Sequence, residues 1–124
     1  MEYIHKEDIT IDALAGRGLL RAVGKNSCFE SDQMSVGYAL YSKEYGVMEP
    51  HQHVEETVIV TKVKDGWVSW GNQKDQLSDK LQLKEGMMLH IPDQEWHAFT
   101  YEDGGFVEII FIYSSTANIR PEDN

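Results

Sequence analysis

At 124 residues the chain is the length of one domain, enough to bury a core without staples or a second lobe. A hydrophobic fraction of 41%, with ten glycines and three prolines, excludes disordered and fibrous compositions. The formal charge of -10, from 21 acids against 11 bases, excludes a nucleic-acid partner and an anionic membrane surface, both of which require clustered Lys and Arg.

The opening MEYIHKEDIT lacks the basic and apolar regions of a secretory signal, and no apolar run approaches the roughly 18 residues of a spanning helix. The expected location is therefore cytoplasmic, with no membrane partner. His5 reads as a solvated residue of this charged stretch. A short helical turn is expected near Asp12-Ala13-Leu14-Ala15, stopped by Gly16 and Gly18. RGLLRAV (17–23) and SVGYALYSKEY (35–45) are rich in β-formers and lie between turn-forming residues. Cys28, the single cysteine, forms no internal bridge and no thiolate zinc site, and reads as a plain structural thiol.

PHQHVEET (50–57) then packs two histidines and two glutamates into eight residues. ETVIVTKV (56–63) follows, and Asp65-Gly66 reads as a hairpin turn into WVSWG (67–71), where the odd spacing puts Trp67 and Trp70 on opposite faces. Lys62 and Lys64 flank that turn as solvated groups. The polar segment 72–80 is a surface connection to LQL, to the turn Lys84-Glu85-Gly86 and to MMLHIP (87–92). HAFTY (97–101) and FVEIIFIY (106–113), separated by Glu102-Asp103-Gly104-Gly105, read as a second hairpin, and 115–124 is a polar tail. Many short strands with regular turns imply one all-β domain, a sandwich or barrel over residues 1–124, with any ligand in its mouth or interior.

Side chains at i and i+2 of an extended segment share a face, so His51 and His53 can aim two imidazoles at one point. Imidazole is the commonest metal ligand. A carboxylate follows the pair, from either Glu56 or Glu55. Alternation along 56–63 places Glu56, Val58 and Val60 on one face and Thr57, Ile59 and Thr61 on the other. A glutamate leading an apolar inward row is costly unless paired or coordinated, which favours Glu56.

The pattern Gly46, four residues, His51-Gln52-His53, two residues, Glu56 resembles the first motif of the cupin family, with one residue fewer before His51 and a shorter loop before Glu56. Downstream, Gly86, five residues, then Pro92-Asp93-Gln94-Glu95-Trp96-His97 is similar to the second motif, in register. Gln94 stands where the family has glycine, and Tyr101 where it has asparagine. The resemblance covers roughly residues 35–112 and implies a double-stranded β-helix, the jelly-roll cupin barrel, with little helix. It further implies that His51, His53, Glu56 and His97 meet on one divalent transition ion, whether iron, manganese, nickel, zinc or copper.

Met48 at the entrance, Phe99 and Tyr101 on the inward face of His97, and His90 on the preceding strand are the expected pocket-lining residues. Trp96 either packs under His97 or walls the pocket, and His90 has an outward structural reading beside the pocket one. Functionally the resemblance implies a metal-dependent enzyme acting on a small polar or oxygenated metabolite, of dioxygenase, isomerase or lyase type. His90 or Tyr101 is then the nearest candidate base. The alternative is a non-catalytic module binding a small molecule or a metal, and a third reading is a structural dimer without metal. A homodimer is expected in any case, with FVEIIFIY supplying the surface.

Overall fold

The computed structural model describes residues 1–116. Most of the tail expected at 115–124 lies outside the described residues. The described residues form seven strands: β1 (Asp12–Leu14), β2 (Arg17–Val23), β3 (Ser35–Ser42), β4 (Glu56–Gly71), β5 (Asp79–Gln82), β6 (Met88–Ile91) and β7 (Trp96–Tyr113). The described helix is confined to two single turns, Lys6–Asp8 and Lys43–Tyr45. The helical turn expected near Asp12 is instead β1, an edge strand that pairs with β2 through Ala13 and Gly18. A single helical turn forms earlier, at Lys6–Asp8, where the His5 ring accepts the Glu7 N–H.

Neither expected hairpin exists. Asp65-Gly66 and Glu102–Gly105 lie inside two continuous strands, β4 and β7, which run antiparallel along their whole length. Their register slips between Val60 and Lys62 and again between Lys64 and Gly66, so the ribbon bends there. Asp65 (φ 47°) and Gly104 (φ 81°) take the left-handed conformation that turn-forming residues tolerate. A side chain at Gly66 would collide with Val63 and Val107, and one at Gly105 with the Lys64 carbonyl. The residues that signal a turn here make a corner.

The corner carries both strands from one layer to the other. The first layer is β1-β2-β3, the second half of β7, the first half of β4, then β6. The second is the first half of β7, the second half of β4, then β5. Between them lies one core, with Ala39, Tyr41, Val58, Val60, Ile109 and Phe111 meeting Leu83, Val68, Ala98 and Phe99. This is a jelly roll, a double-stranded β-helix. The alternation expected in β4 holds: Glu56, Val58 and Val60 are buried while Thr57, Ile59 and Thr61 are half-buried. FVEIIFIY, expected as a dimer surface, sits centrally between β3 and β4, so both its edges are already paired.

The N-terminal segment crosses the outer face of the first layer. Lys6 pairs with Glu108 and lies 5.9 Å above the ring of Tyr38, while Thr61 donates to Glu108 at 2.5 Å. Burial by itself raises the Glu108 pKa, but the hydrogen bonds from Lys6 and Thr61 and the charges of Lys6 and Lys62 outweigh it, and the net direction is down. A carboxylate held below its unfolded value, about 4.3, stabilises the fold above that pH and loses the contribution as pH falls through the folded value. Glu108→Gln is therefore expected to flatten the acid limb of the thermal midpoint below about pH 5. Melts followed by circular dichroism check this; equal steepness in both proteins would remove Glu108 from the role.

Candidate metal centre

The site occupies one end of the space between the layers, where β4 begins, β7 both begins and ends, and the segment 50–55 enters. His51 and His97 exchange both backbone hydrogen bonds, N–H to O at 3.0 and 2.9 Å, which sets their side chains on the same face of an isolated antiparallel bridge. The turn Pro92–Glu95 closes through the Glu95 N–H to the Pro92 carbonyl, and its Gln94 N–H reaches the His53 carbonyl at 2.7 Å. One turn thus holds both halves of the histidine set.

Gln94 adopts φ 63°, the left-handed conformation that glycine takes without strain. This explains why glycine suits the position and why the chain tolerates its absence: the backbone bond to His53 overrides the local cost. Gln94→Gly is expected to raise stability by about 0.5–1 kcal/mol in urea unfolding, the left-handed penalty removed less the entropy of glycine. A loss of stability would show instead that the Gln94 side chain contributes.

The imidazoles of His51, His53 and His97 are buried, with one ring nitrogen of each within 4.8 Å of the others. Each Nδ1 faces a backbone carbonyl: His51 that of Glu49 (3.2 Å), His53 that of Val54 (2.8 Å), His97 that of Glu95 (2.8 Å). A carbonyl only accepts, so each Nδ1 carries the proton and each Nε2 presents its lone pair. Orientation of that kind is what metal-binding imidazoles require. The buried carboxylate of Glu56 lies beside the three rings, with Oε1 3.5 Å from His53 Nε2 and 3.9 Å from His97 Nε2. At about 2.1 Å per bond, two donors on one ion stand at most about 4.2 Å apart, so a divalent ion fits this donor set after small side-chain shifts.

Of the two glutamates, Glu56 is buried beside the imidazoles and Glu55 is not. Glu55 is exposed and bonds His90 at 2.6 Å on the protein surface. His90 pairs with Thr57 in the register between β6 and β4, on the face opposite Glu56 and Ile91. The pocket-lining expectation for His90 is therefore corrected: alternation along β6 points it outward. Met48 is also not at an entrance; it is buried in the core, its sulfur accepting the Phe99 N–H at 3.2 Å. Phe99 stacks on Tyr41 and presents to His97 an edge-to-face contact at 6.4 Å. Tyr101 is half-buried against the core and donates its hydroxyl to the Gly46 carbonyl, an engagement that burial reinforces by raising its pKa. Trp96 is half-buried at the start of β7. Cys28 is exposed between β2 and β3.

One site residue escaped the sequence reading. The Tyr113 hydroxyl lies 3.4 Å from His53 Nε2, with the two rings edge to face at 5.2 Å. Its signal was the inward row Val107, Ile109, Phe111, Tyr113, which ends on a residue with a polar tip.

No protein-family model and no curated protein matches the chain. Solved structures do. The polyketide cyclase RemF from Streptomyces resistomycificus superposes with a TM-score of 0.76 at 18% identity, over 98% of this chain and 82% of that one. A cupin-like protein from Thermotoga maritima gives 0.62 at 20% identity, over 87% and 74%. The chain has the cupin fold. A further cupin structure, Fe(II)-HppE with an alternative substrate, gives a TM-score of 0.65 at 13% identity, and there this chain covers 90% of itself but 59% of the neighbour. At such identities the likeness is one of fold, and the cupin reading of the two motifs rests on the placement of His51, His53 and His97 described above.

Proposed function

We propose that this cupin is a metal-dependent enzyme for a small oxygenated metabolite, in which His51, His53, His97 and Glu56 hold one divalent transition ion. The observation that carries the reading is the set of three buried imidazoles, each with Nδ1 committed to a carbonyl and Nε2 turned to a shared point. Such an ion, when bound, supplies a Lewis acid that polarises a carbonyl or stabilises an enolate. The chain's own residues do the rest. The histidines bind and orient, the Glu56 carboxylate offsets positive charge, and the stacked Phe99 and Tyr41 close the site on its inner side. The donor set leaves iron, manganese, nickel, zinc and copper all acceptable. That RemF is a polyketide cyclase and HppE an Fe(II) protein supports chemistry at such a centre without fixing the reaction.

The non-catalytic module remains the second reading, because both candidate bases lie elsewhere: His90 faces outward and Tyr101 is bonded to Gly46. Reconstitution with Fe(II) or Mn(II) under anaerobic conditions, followed by oxygen uptake and product analysis over diols, keto acids, sugars and poly-β-carbonyl compounds, separates the two. Turnover is expected; tight binding without turnover across the panel would establish the binding module.

We also infer a homodimer, through the outer face of the first layer, to which FVEIIFIY contributes Ile110. Tyr38, Ile110, Ile59 and Met88 form a cross-strand apolar row there. Glu55 just precedes β4 and Lys62 lies seven residues further along, inside it, so a two-fold partner sets acid against base. A monomer in sedimentation velocity at micromolar concentration would end this inference. None of the described helices is long and apolar enough to cross a membrane.

A further inference from the structure

Three features outside the four proposed ligands merit a function: the Lys6–Glu108 pair, the outer apolar row and the Tyr113 hydroxyl. The third carries furthest, because it is a buried polar group inside the site that the proposed ligand set does not use. Tyr113 is 7% exposed and closes the inward row of β7, so its hydroxyl reaches the space between the layers with little freedom to leave it. It faces His53 Nε2 at 3.4 Å. Since His53 Nδ1 holds its proton toward Val54, Nε2 is the acceptor and the phenol the donor.

A metal ion and this hydroxyl require the same lone pair. When an ion occupies His53 Nε2, the O–H must turn to a different acceptor, and in a buried setting an acceptor has to be present. The Glu56 carboxylate, whose Oε1 is 3.5 Å from the same nitrogen, is one such acceptor, and a molecule that enters the centre is another. Glu56, committed to the ion and leading β4, offers an oxygen already engaged. We propose that Tyr113 is a substrate-binding residue, its hydroxyl donating to an anionic or carbonyl oxygen of the small molecule held at the histidine centre. The inference rests on the metal-centre reading above and narrows its ligands to oxygen donors such as carboxylates, enolates and hydroxamates.

The test uses Co(II)-loaded full-length protein, with acetohydroxamate as the probe and the cobalt visible spectrum as the readout. In Tyr113→Phe the dissociation constant for acetohydroxamate is expected to rise about tenfold, the scale of one hydrogen bond to a charged group. Co(II) affinity is expected to stay equal or to increase slightly, because the competing donor has gone. A fall in Co(II) affinity would make Tyr113 a metal ligand and overturn the proposal. Unchanged affinity for both would mean the hydroxyl turns to Glu56 or is structural, and would also overturn it. A second measurement does not depend on the variant folding: in wild-type protein with 13Cζ-labelled tyrosine, the resonance broadened by Co(II) is followed in the Zn(II) form, and it should shift when acetohydroxamate is added. No shift counts against the proposal. Wild type that binds no Co(II) defeats the metal centre and this inference together, whereas metal binding with equal probe affinity in both proteins defeats this inference alone.

Discussion

His97→Ala is expected to take bound metal from near one per chain to near zero, with affinity reduced by well over the roughly 100-fold that loss of an outer-shell partner produces. The reason is geometric. His97 is the member delivered from the far motif, 1% exposed, with its backbone paired to His51 and its Nδ1 fixed by Glu95. Its removal leaves His51 and His53 on a short loop with Glu56, a set without the opposing strand. His51→Ala should behave alike, and His90→Ala should retain full metal because its side chain faces outward with Glu55. Metal content by mass spectrometry on tag-free protein, with chelator competition for affinity, checks the series, and circular dichroism confirms that each variant is folded. Equal metal in all three variants and wild type would remove the centre. In the wild type, affinity should also fall as pH drops through the imidazole range, since protonated rings cannot coordinate, and a flat profile would contradict three histidine ligands.

The parts of this site legible in sequence are those governed by strand alternation. Glu56 over Glu55 followed from the inward row with Val58 and Val60, and the structure puts the first inside and the second on the surface. The same rule, carried along 106–113, leads inward to Tyr113, whereas the length and apolarity of the run point to a surface. The outward direction of His90 was equally available from alternation along 88–91. What local signals could not separate was a hairpin from a corner. Asp-Gly and Gly-Gly permit a left-handed residue, and both a two-residue turn and a bulged bend need one. Only the long-range pairing of β4 with β7 decides between them, and pairing across some forty residues leaves no local trace. Met48 shows a related limit: its sequence position before the histidines suggested an entrance, yet the chain folds inward there to give Phe99 a sulfur acceptor.

Phe99→Ala is expected to cost about 3–5 kcal/mol of stability, the range for deleting a buried aromatic ring. The ring is 1% exposed, stacks on Tyr41 with centroids 4.9 Å apart, and opposes Val68 across the second layer. For a domain of this size such a loss lowers the thermal midpoint by roughly 10–20 °C. Its second consequence bears on the site. Phe99 follows His97 by two residues on the same inward face, and its ring meets the imidazole edge to face, so the cavity left by alanine gives His97 room to rotate away from His53. Bound metal raises the midpoint of a native protein by mass action, about 2.7 kcal/mol at a hundredfold excess over the dissociation constant. In Phe99→Ala that metal-dependent increment should be smaller than in wild type, and Phe99→Leu, which refills most of the volume, should recover both stability and increment. Full loss of stability with an unchanged increment would mean that the paired backbones of His51 and His97 position the imidazole without help from the core.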